Sequence, residues 1–522
     1  MLRMLGPALL RGRLRLRERD LHRRSGSPGR SLVCQNENHV ETEFEVLRPH
    51  AGGMSRKSQA IFQLELIAMH DPKYFPFTTD GQYYLYDTDT GMVYGANRLV
   101  HDAVRLMNTG LDEGATRSVL AAEGDDLREI EECLGVLSQL SATGTAPAAP
   151  RSLQVRKPKS VSKDDWFAGK ALTKLWLSLT EGCNMQCAYC FGGYGLRNKV
   201  MMSEETAKAC IDYFFKYAAR QADKYNVNFF GGEPLLNKKT FLYAVDYING
   251  KAREAGKSIH YIITTNGTLL DEDILRALAE NRMYVNISID GGEYTHNLHR
   301  RFGSGGGTFR TIAKNLAAIR GRGYHNLIAR MTLTKQGVYS LREDVEFLWR
   351  MGFNHVFVDP VKSDSPELAL DPSSLRELRR QFDGLLEQMK EEERQGNSKI
   401  IRSITDLYES IDNRSLKGEC TYFNAFSLQF TPEGEVYKCS FTERQAEERA
   451  GNVRDGIDWE RFQRKYAPEE KCLGCWARRL CGGGCYLDRD DPVMCEYAKL
   501  ITEYGLKYYS FKKKRKVQLK EG

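Results

Sequence analysis

The sequence predicts an α/β protein organised on a parallel sheet, and three observations carry that reading. Between residues 170 and 400, apolar strand-like runs alternate six times with amphipathic helical stretches. The strand runs are rich in apolar residues, as expected for strands covered on both faces. The cysteines, glycines and asparagines that break the pattern fall just after strand runs, at the carboxyl ends where such sheets hold ligands. Strands are expected near Leu175–Thr180, Val227–Gly231, Tyr261–Thr265, Tyr284–Asp290, Ile328–Leu333 and Val356–Pro360. Helices are expected near Ser203–Ala219, Lys239–Ala255, Asp271–Glu280, Phe309–Arg320, Leu341–Arg350 and Ser374–Glu392. Such regular alternation closes, or nearly closes, a parallel sheet on itself.

The 522 residues suffice for two to four domains. No apolar run approaches the roughly eighteen residues of a membrane-spanning helix, so no membrane partner is expected. The formal charge of +7 sits at the ends: residues 1–53 carry +4 and residues 507–522 carry +6, which leaves −3 for the body. That balance argues against a nucleic-acid-binding face. Thirteen cysteines, clustered rather than spread, point to metal ligation in a reducing compartment, and the expected location is cytoplasmic.

Residues 1–53 are Arg-rich with no periodicity and read as a disordered extension, or as the product of a start placed before Met54. Phe62–Met69 reads as a strand, and Gln82–Asn97 as a hairpin turning at Asp89-Thr90-Gly91. Helical patterns follow at Arg98–Asn108, Ala115–Ala122 and Asp125–Leu140, the last with Leu127, Ile130, Leu134 and Leu137 on one face. Three strands and three helices within residues 60–140 suggest a winged-helix-like module. It lacks a basic helix face for DNA, but a free sheet edge can accept an extended peptide as an added strand. Residues 141–165, rich in Ala, Pro, Ser and Lys, read as a linker, and residues 506–522 as a basic, solvated tail.

The chemistry begins at Cys183-Asn184-Met185-Gln186-Cys187-Ala188-Tyr189-Cys190, directly after the first core strand. Three thiols within eight residues of one loop can face one centre. A zinc knuckle needs a fourth ligand, and neither Tyr189 nor Phe191 can serve. Three thiols suit an iron–sulfur cluster with one iron left open. This C-x3-C-x-aromatic-C pattern resembles the signature of the radical S-adenosylmethionine (SAM) enzymes. Gly231-Gly232-Glu233-Pro234, at the end of the next strand, matches that family's aminoacyl-binding motif. The resemblance implies a partial (β/α)6, TIM-like barrel. It also implies that the open iron chelates the amino and carboxylate groups of SAM, which is cleaved to methionine and a 5′-deoxyadenosyl radical. In that frame Tyr189 packs near the adenine and Glu233 accepts from the ammonium. Asn266 lies near the open iron, Ser288 and Asp290 hold ribose hydroxyls, and Arg300 pairs with the methionine carboxylate. His296 and His299 read as loop or helix-start residues rather than ligands.

Seven more cysteines run Cys420-x13-Gly434-x4-Cys439, Cys472-x2-Cys475-x5-Cys481-x3-Cys485 and Cys495. Cys472, Cys475, Cys481 and Cys485 alone would serve a zinc knuckle. The whole array resembles the SPASM extension of radical SAM enzymes, which houses two auxiliary 4Fe–4S clusters, so the cofactors implied are SAM and three clusters. Carried over from that extension, Cys420, Cys439 and Cys485 bind auxiliary cluster I, and Cys472, Cys475, Cys481 and Cys495 bind auxiliary cluster II. An eighth cysteine present in some relatives is missing between Cys420 and Cys439, which leaves cluster I an iron for a substrate thiolate. Cys133 and Cys210 read as packing residues.

The module at residues 60–140, the barrel at 170–400 and the SPASM domain at 415–505 together resemble maturases that build thioethers in ribosomally made, Cys-rich peptides. The module resembles their leader-peptide recognition element. The implied partners are a precursor peptide with leader and Cys-containing core, and an electron donor such as flavodoxin or ferredoxin. Sulfatase maturation, which oxidises Cys or Ser to formylglycine, is the enzymatic alternative. That group carries an acidic base right after the position of Cys439, where this chain has Ser440, and it generally lacks the module. An iron–sulfur electron carrier or zinc protein is the non-enzymatic alternative, and would leave Gly231–Pro234 without a purpose.

Overall fold

Residues Tyr74–Thr79 (β1), Gln82–Asp87 (β2) and Val93–Ala96 (β3) form an antiparallel sheet in that order. They are followed by helices α1 (Arg98–Met107), α2 (Glu113–Ala122) and α3 (Leu127–Ala142). The computed structural model describes residues 72–142, 162–196, 200–415, 420, 426–443, 445–463 and 469–521. The extension at 1–53, the expected strand at Phe62–Met69 and most of the expected linker lie outside them. The β2–β3 hairpin turns over Asp87–Met92, as its sequence indicates. β1 is an addition to the sequence reading. Pro76 speaks against a strand, yet an edge strand tolerates a residue with no ladder donor. Asp80 and Gly81, with φ of 51° and 65°, make the two-residue turn into β2. Ile130, Leu134 and Leu137 of α3 are buried, whereas Leu127, expected on the same face, is exposed.

The side chains of β1 and β2 alternate between two cores. Tyr74 and Leu85 pack with α1, α2 and α3, while Phe75, Phe77 and Tyr86 belong to the core of the main body. The module is therefore a layer of the body, covered on both faces. Ser162 caps α4 (Lys163–Phe167), and Trp166 is fully buried beside Tyr217, Trp459 and Phe462. Residues 162–165, assigned to the linker by composition, thus begin folded structure; one apolar Trp outweighs the polar residues around it.

Six strand–helix units follow in chain order. They are β4 (Lys174–Ser178) with α5 (Glu204–Tyr217), β5 (Lys224–Phe230) with α6 (Lys238–Ala255), and β6 (Ser258–Thr265) with α7 (Glu272–Glu280). Next come β7 (Tyr284–Ser288) with α8 (Glu293–His299) and α9 (Phe309–Gly321), β8 (Leu327–Leu333) with α10 (Leu341–Arg350), and β9 (His355–Pro360) with α11 (Pro372–Arg394). Strands β4 to β9 are parallel and paired in sequence order. Among the described residues the sheet does not close: β10 (Ile400–Ile401) extends it beyond β9, and β11 (Ser427–Phe430) pairs in parallel with β4.

The hairpin of β11 and β12 (Glu435–Tyr437), turning at Gly434, thus carries the cysteine-rich end directly into the main sheet, followed by β13 (Gly451–Asn452) and β14 (Gly456–Ile457). Leu428, Phe430, Trp476 and Leu480 share one core with the six units. The last element, α12, spans Pro492–Glu521. It replaces the solvated tail expected at 506–522. Lys512 pairs with Glu393, Lys513 with Asp412, and Lys516 donates to Tyr408. Among the described residues no helix is long and apolar enough to cross a membrane.

Candidate active site

All the candidate loops gather at the carboxyl ends of β4 to β7. The turn after β5 is pressed against the turn after β4. Gly232 N–H donates to Thr180 O (2.8 Å) and Glu233 N–H to Gly182 O (2.9 Å). A Cβ on Gly231 (φ +121°) would lie 2.3 Å from Thr180 O, and one on Gly232 would lie 2.2 Å from Gly182 O. Both glycines are thus required by close backbone approach, and the approach fixes the chain entering Cys183. Pro234, buried, opens the short turn that follows.

Glu233 is fully buried, and both its oxygens are occupied by protein donors. Oε1 accepts from Thr265 Oγ1 (2.8 Å) and Leu235 N (3.0 Å), and Oε2 from Asn266 N (2.7 Å). Burial pushes its carboxyl up to about 7, against these three bonds. The Glu233 carboxylate thus ties the turn after β5 to the end of β6, and its own N–H ties that turn to Gly182 after β4. Asn266 lies at the cysteine loop: its Nδ2 donates to Asn184 Oδ1 (2.8 Å) and lies 3.9 Å from Cys183 Sγ.

The sequence assigns Arg300 and Asp290 to different parts of SAM; in the structure they meet each other. Arg300 Nε donates to Asp290 Oδ2 at 2.9 Å, with both residues buried, and its Nη2 reaches Thr332 Oγ1 (3.3 Å). Asp290 Oδ1 accepts from Thr332 N (2.9 Å), and Tyr189 Oη donates to Asp290 Oδ2. The guanidinium lies 5.2 Å from the Tyr189 ring centroid. The aromatic of the cysteine signature is thereby held by a buried ion pair, and the sequence pattern places no such partner. Ser288 ends β7, in register with Arg330 of β8. His296 lies inside α8, buried against Thr308 Oγ1 (2.9 Å); burial lowers it to about 4 and keeps it neutral. His299 sits on the same helix, 5.5 Å from the Tyr189 ring.

The thiols fall into three groups by their mutual electrostatic influence. Cys183 feels Cys187 and Cys190, Cys439 feels Cys420 and Cys485, and Cys472 feels Cys495, Cys475 and Cys481. Burial pushes Cys183 and Cys439 up to about 12 and Cys187 to about 11. Such thiols keep their protons until a cation draws them off. Among the described residues no three His, Cys, Asp or Glu side chains are spaced to hold one metal ion. Thiolates are the donors that a 4Fe–4S cluster takes, one cysteine to each iron, so these groups of cysteines fit such clusters by their chemistry.

The first two thiol groups touch through their loops. The Phe191 and Phe441 rings are 4.0 Å apart, and Lys362 Nζ lies 5.5 Å from the Phe441 centroid. Beneath them, Glu443 accepts from Ser178 Oγ (2.6 Å), Tyr194 Oη (3.2 Å) and Gln429 Nε2. Burial raises its carboxyl to about 7, against those three bonds. Sequence reasoning missed Glu443, because one Glu four residues past a cysteine forms no recognisable spacing. It missed Asn184 and Thr332 for the same reason, although Asn184 lies inside the quoted signature.

Comparison with known proteins agrees with this geometry. Residues 177–348 match the Radical SAM superfamily. The cysteine-type anaerobic sulfatase-maturating enzyme of Clostridium perfringens is 27% identical over 363 residues, covering 63% of this chain and 91% of that protein. The structure of native anSMEcpe with bound AdoMet superposes with a TM-score of 0.53 at 23% identity, covering 66% of this chain and 98% of that one. Native anSMEcpe with bound AdoMet and Kp18Cys peptide gives 0.54 at 22%, covering 66% and 98%. The superfamily match takes in the loops that hold Cys183, Cys187, Cys190 and Gly231–Pro234, so residues 177–348 of this chain form a radical SAM domain.

Proposed function

We propose that the enzyme modifies a ribosomally made precursor peptide by joining a cysteine sulfur to a carbon of the same peptide. When bound, SAM and a cluster on Cys183, Cys187 and Cys190 supply a 5′-deoxyadenosyl radical that removes hydrogen from the acceptor carbon. The chain's own residues position and protect that chemistry. Gly231 and Gly232 would let the backbone approach the methionine end of SAM, Asn266 would lie beside the cluster, and Tyr189 and Ser288 would hold the nucleoside. Cys420, Cys439 and Cys485 would hold one auxiliary cluster, which would take up the electron left when the carbon–sulfur bond forms, and Cys472, Cys475, Cys481 and Cys495 would hold the other; a flavodoxin or ferredoxin would supply the electron that starts SAM cleavage. Glu443 lies where the Cys190 loop meets the Cys439 loop, and takes the proton from the substrate thiol.

The observation that carries this reading is the amino-terminal sheet, whose β3 edge pairs only with β2 among the described residues. An extended leader peptide adds to such an edge as a fourth strand. The similarity to sulfatase-maturating enzymes supports a second reading, formylglycine formation. Mass spectrometry separates them. After reaction with SAM, a Cys-rich precursor loses two hydrogens and gains a thioether, whereas a sulfatase peptide loses its sulfur. A precursor lacking its leader is expected to react at least about tenfold more slowly. Equal turnover with and without leader refutes the peptide-recognition reading.

A further inference from the structure

The segment between Cys475 and Cys481 is where the amino-terminal module touches the carboxyl-terminal thiols. Phe75 of β1 stacks on Trp476, with centroids 3.6 Å apart and planes 4° from parallel. Arg479, 5% exposed, donates from Nη1 to Asp89 O in the β2–β3 turn (2.8 Å). It donates from Nη2 to Arg414 O (2.9 Å), six residues ahead of Cys420. Gly91, at φ +72°, makes room for this guanidinium: a Cβ there would lie 3.0 Å from Nε. One planar fork thus binds the module's turn and the approach to one thiol group from a position inside the other. A lysine, with a single rotating ammonium, cannot reach both carbonyls in that geometry.

We propose that Arg479 is a positioning residue that couples docking of the amino-terminal module to iron–sulfur loading of the Cys472, Cys475, Cys481 and Cys495 set. The proposal rests on the ligand assignment made above. The physical reason is linkage. Cluster binding fixes the Cys475–Cys481 segment, and a fixed segment presents Arg479 and Trp476 to the module at lower conformational cost. The coupling is reciprocal, so a secured module slows loss of the cluster by the same free energy. The β2–β3 turn also leads into β3, the edge offered to the peptide, so the state of the remote thiols reaches the recognition edge through Arg479, with Arg478 3.9 Å from the Asp89 carboxylate of the same turn.

The test uses the full chain, reconstituted anaerobically, with Arg479→Lys and Gly91→Ala perturbing the same contact from opposite sides. Iron release to a ferrous chelator is followed cluster by cluster by absorption and electron paramagnetic resonance. Amide exchange is followed over residues 87–92. In both variants the cluster on Cys472, Cys475, Cys481 and Cys495 is expected to be lost at least about fivefold faster, with the barrel cluster and SAM cleavage unchanged. In the wild type, removing auxiliary iron is expected to speed exchange of the Asp87 and Gly91 amides at least about fivefold; in Arg479→Lys it has no further effect. Unchanged release and exchange in both variants, with iron for three clusters present, overturn the coupling alone. Wild-type iron for only one cluster overturns the ligand assignment, and the coupling with it.

Discussion

Replacing Asp290 by Asn tests whether a buried ion pair holds the signature aromatic. Asn is isosteric and keeps an acceptor for Thr332 N, but its NH2 then faces Arg300 Nε and Tyr189 Oη, so the change removes the charge and the acceptor that both donors share. Arg300 is then left cationic with no acid beside it, 8% exposed, and Tyr189 Oη loses its carboxylate acceptor. Removing one partner of a buried pair costs about 3–5 kcal/mol. Only a few kcal/mol separate folded from unfolded states in most domains, so the denaturant midpoint is expected to fall visibly. If about 3 kcal/mol of that cost acts on the loop between Cys187 and Cys190, SAM cleavage falls by roughly a hundredfold. The assays are 5′-deoxyadenosine formation with a chemical reductant and a urea titration monitored by fluorescence. The double variant Asp290→Asn/Arg300→Met removes the stranded charge. It is expected to regain about half or more of the lost stability while cleavage stays low. Stability of Asp290→Asn within about 0.5 kcal/mol of wild type and cleavage within about twofold would refute the reasoning, as would strictly additive losses in the double variant.

Three further outcomes are expected. Gly232→Ala should lower SAM cleavage at least about tenfold, since its Cβ has no space beside Gly182 O; Gly250→Ala, with open space in α6, should leave cleavage unchanged and stabilise slightly. Glu443→Gln should reduce peptide modification about a hundredfold or more while SAM cleavage continues. Because burial raises the Glu443 carboxyl to about 7, it holds its proton below that pH. Wild-type modification should therefore fall as pH drops through 7, and that limb should vanish in the Gln variant. Cys183→Ala/Cys187→Ala/Cys190→Ala should abolish 5′-deoxyadenosine formation yet retain iron on the carboxyl-terminal thiols, measured by iron analysis of the purified protein.

The parts of the molecule legible in the sequence are those written in local pattern. The six parallel strands show as apolar runs, and the positions of Cys183 and Gly231 show as breaks at strand ends. β1 is hidden by Pro76, because a rule about ladder donors does not know which strand will be an edge. The tail reading of Lys512–Lys516 fails because its partners, Glu393, Asp412 and Tyr408, lie about a hundred residues away. The Asp290–Arg300 pair is legible as two residues but not as a pair, since ten positions separate them across a turn and a helix. Glu443 gains its character from burial, held against bonds from Ser178, Tyr194 and Gln429, and only the fold assembles that setting.

The double-sided packing of the amino-terminal sheet has a consequence for synthesis of the chain. Phe75, Phe77 and Tyr86 emerge early from the ribosome, but Trp476 emerges 401 residues after Phe75. At about 5–20 residues per second, that aromatic face waits roughly 20–80 s for its cover. During this interval an edge strand and three aromatic rings stand open to neighbouring chains. Fragments that stop before residue 476 inherit the exposed face permanently and are expected to aggregate, whereas the isolated carboxyl-terminal half exposes Trp476 instead. Soluble material should therefore come from whole chains made slowly, or from the two halves made together in one cell.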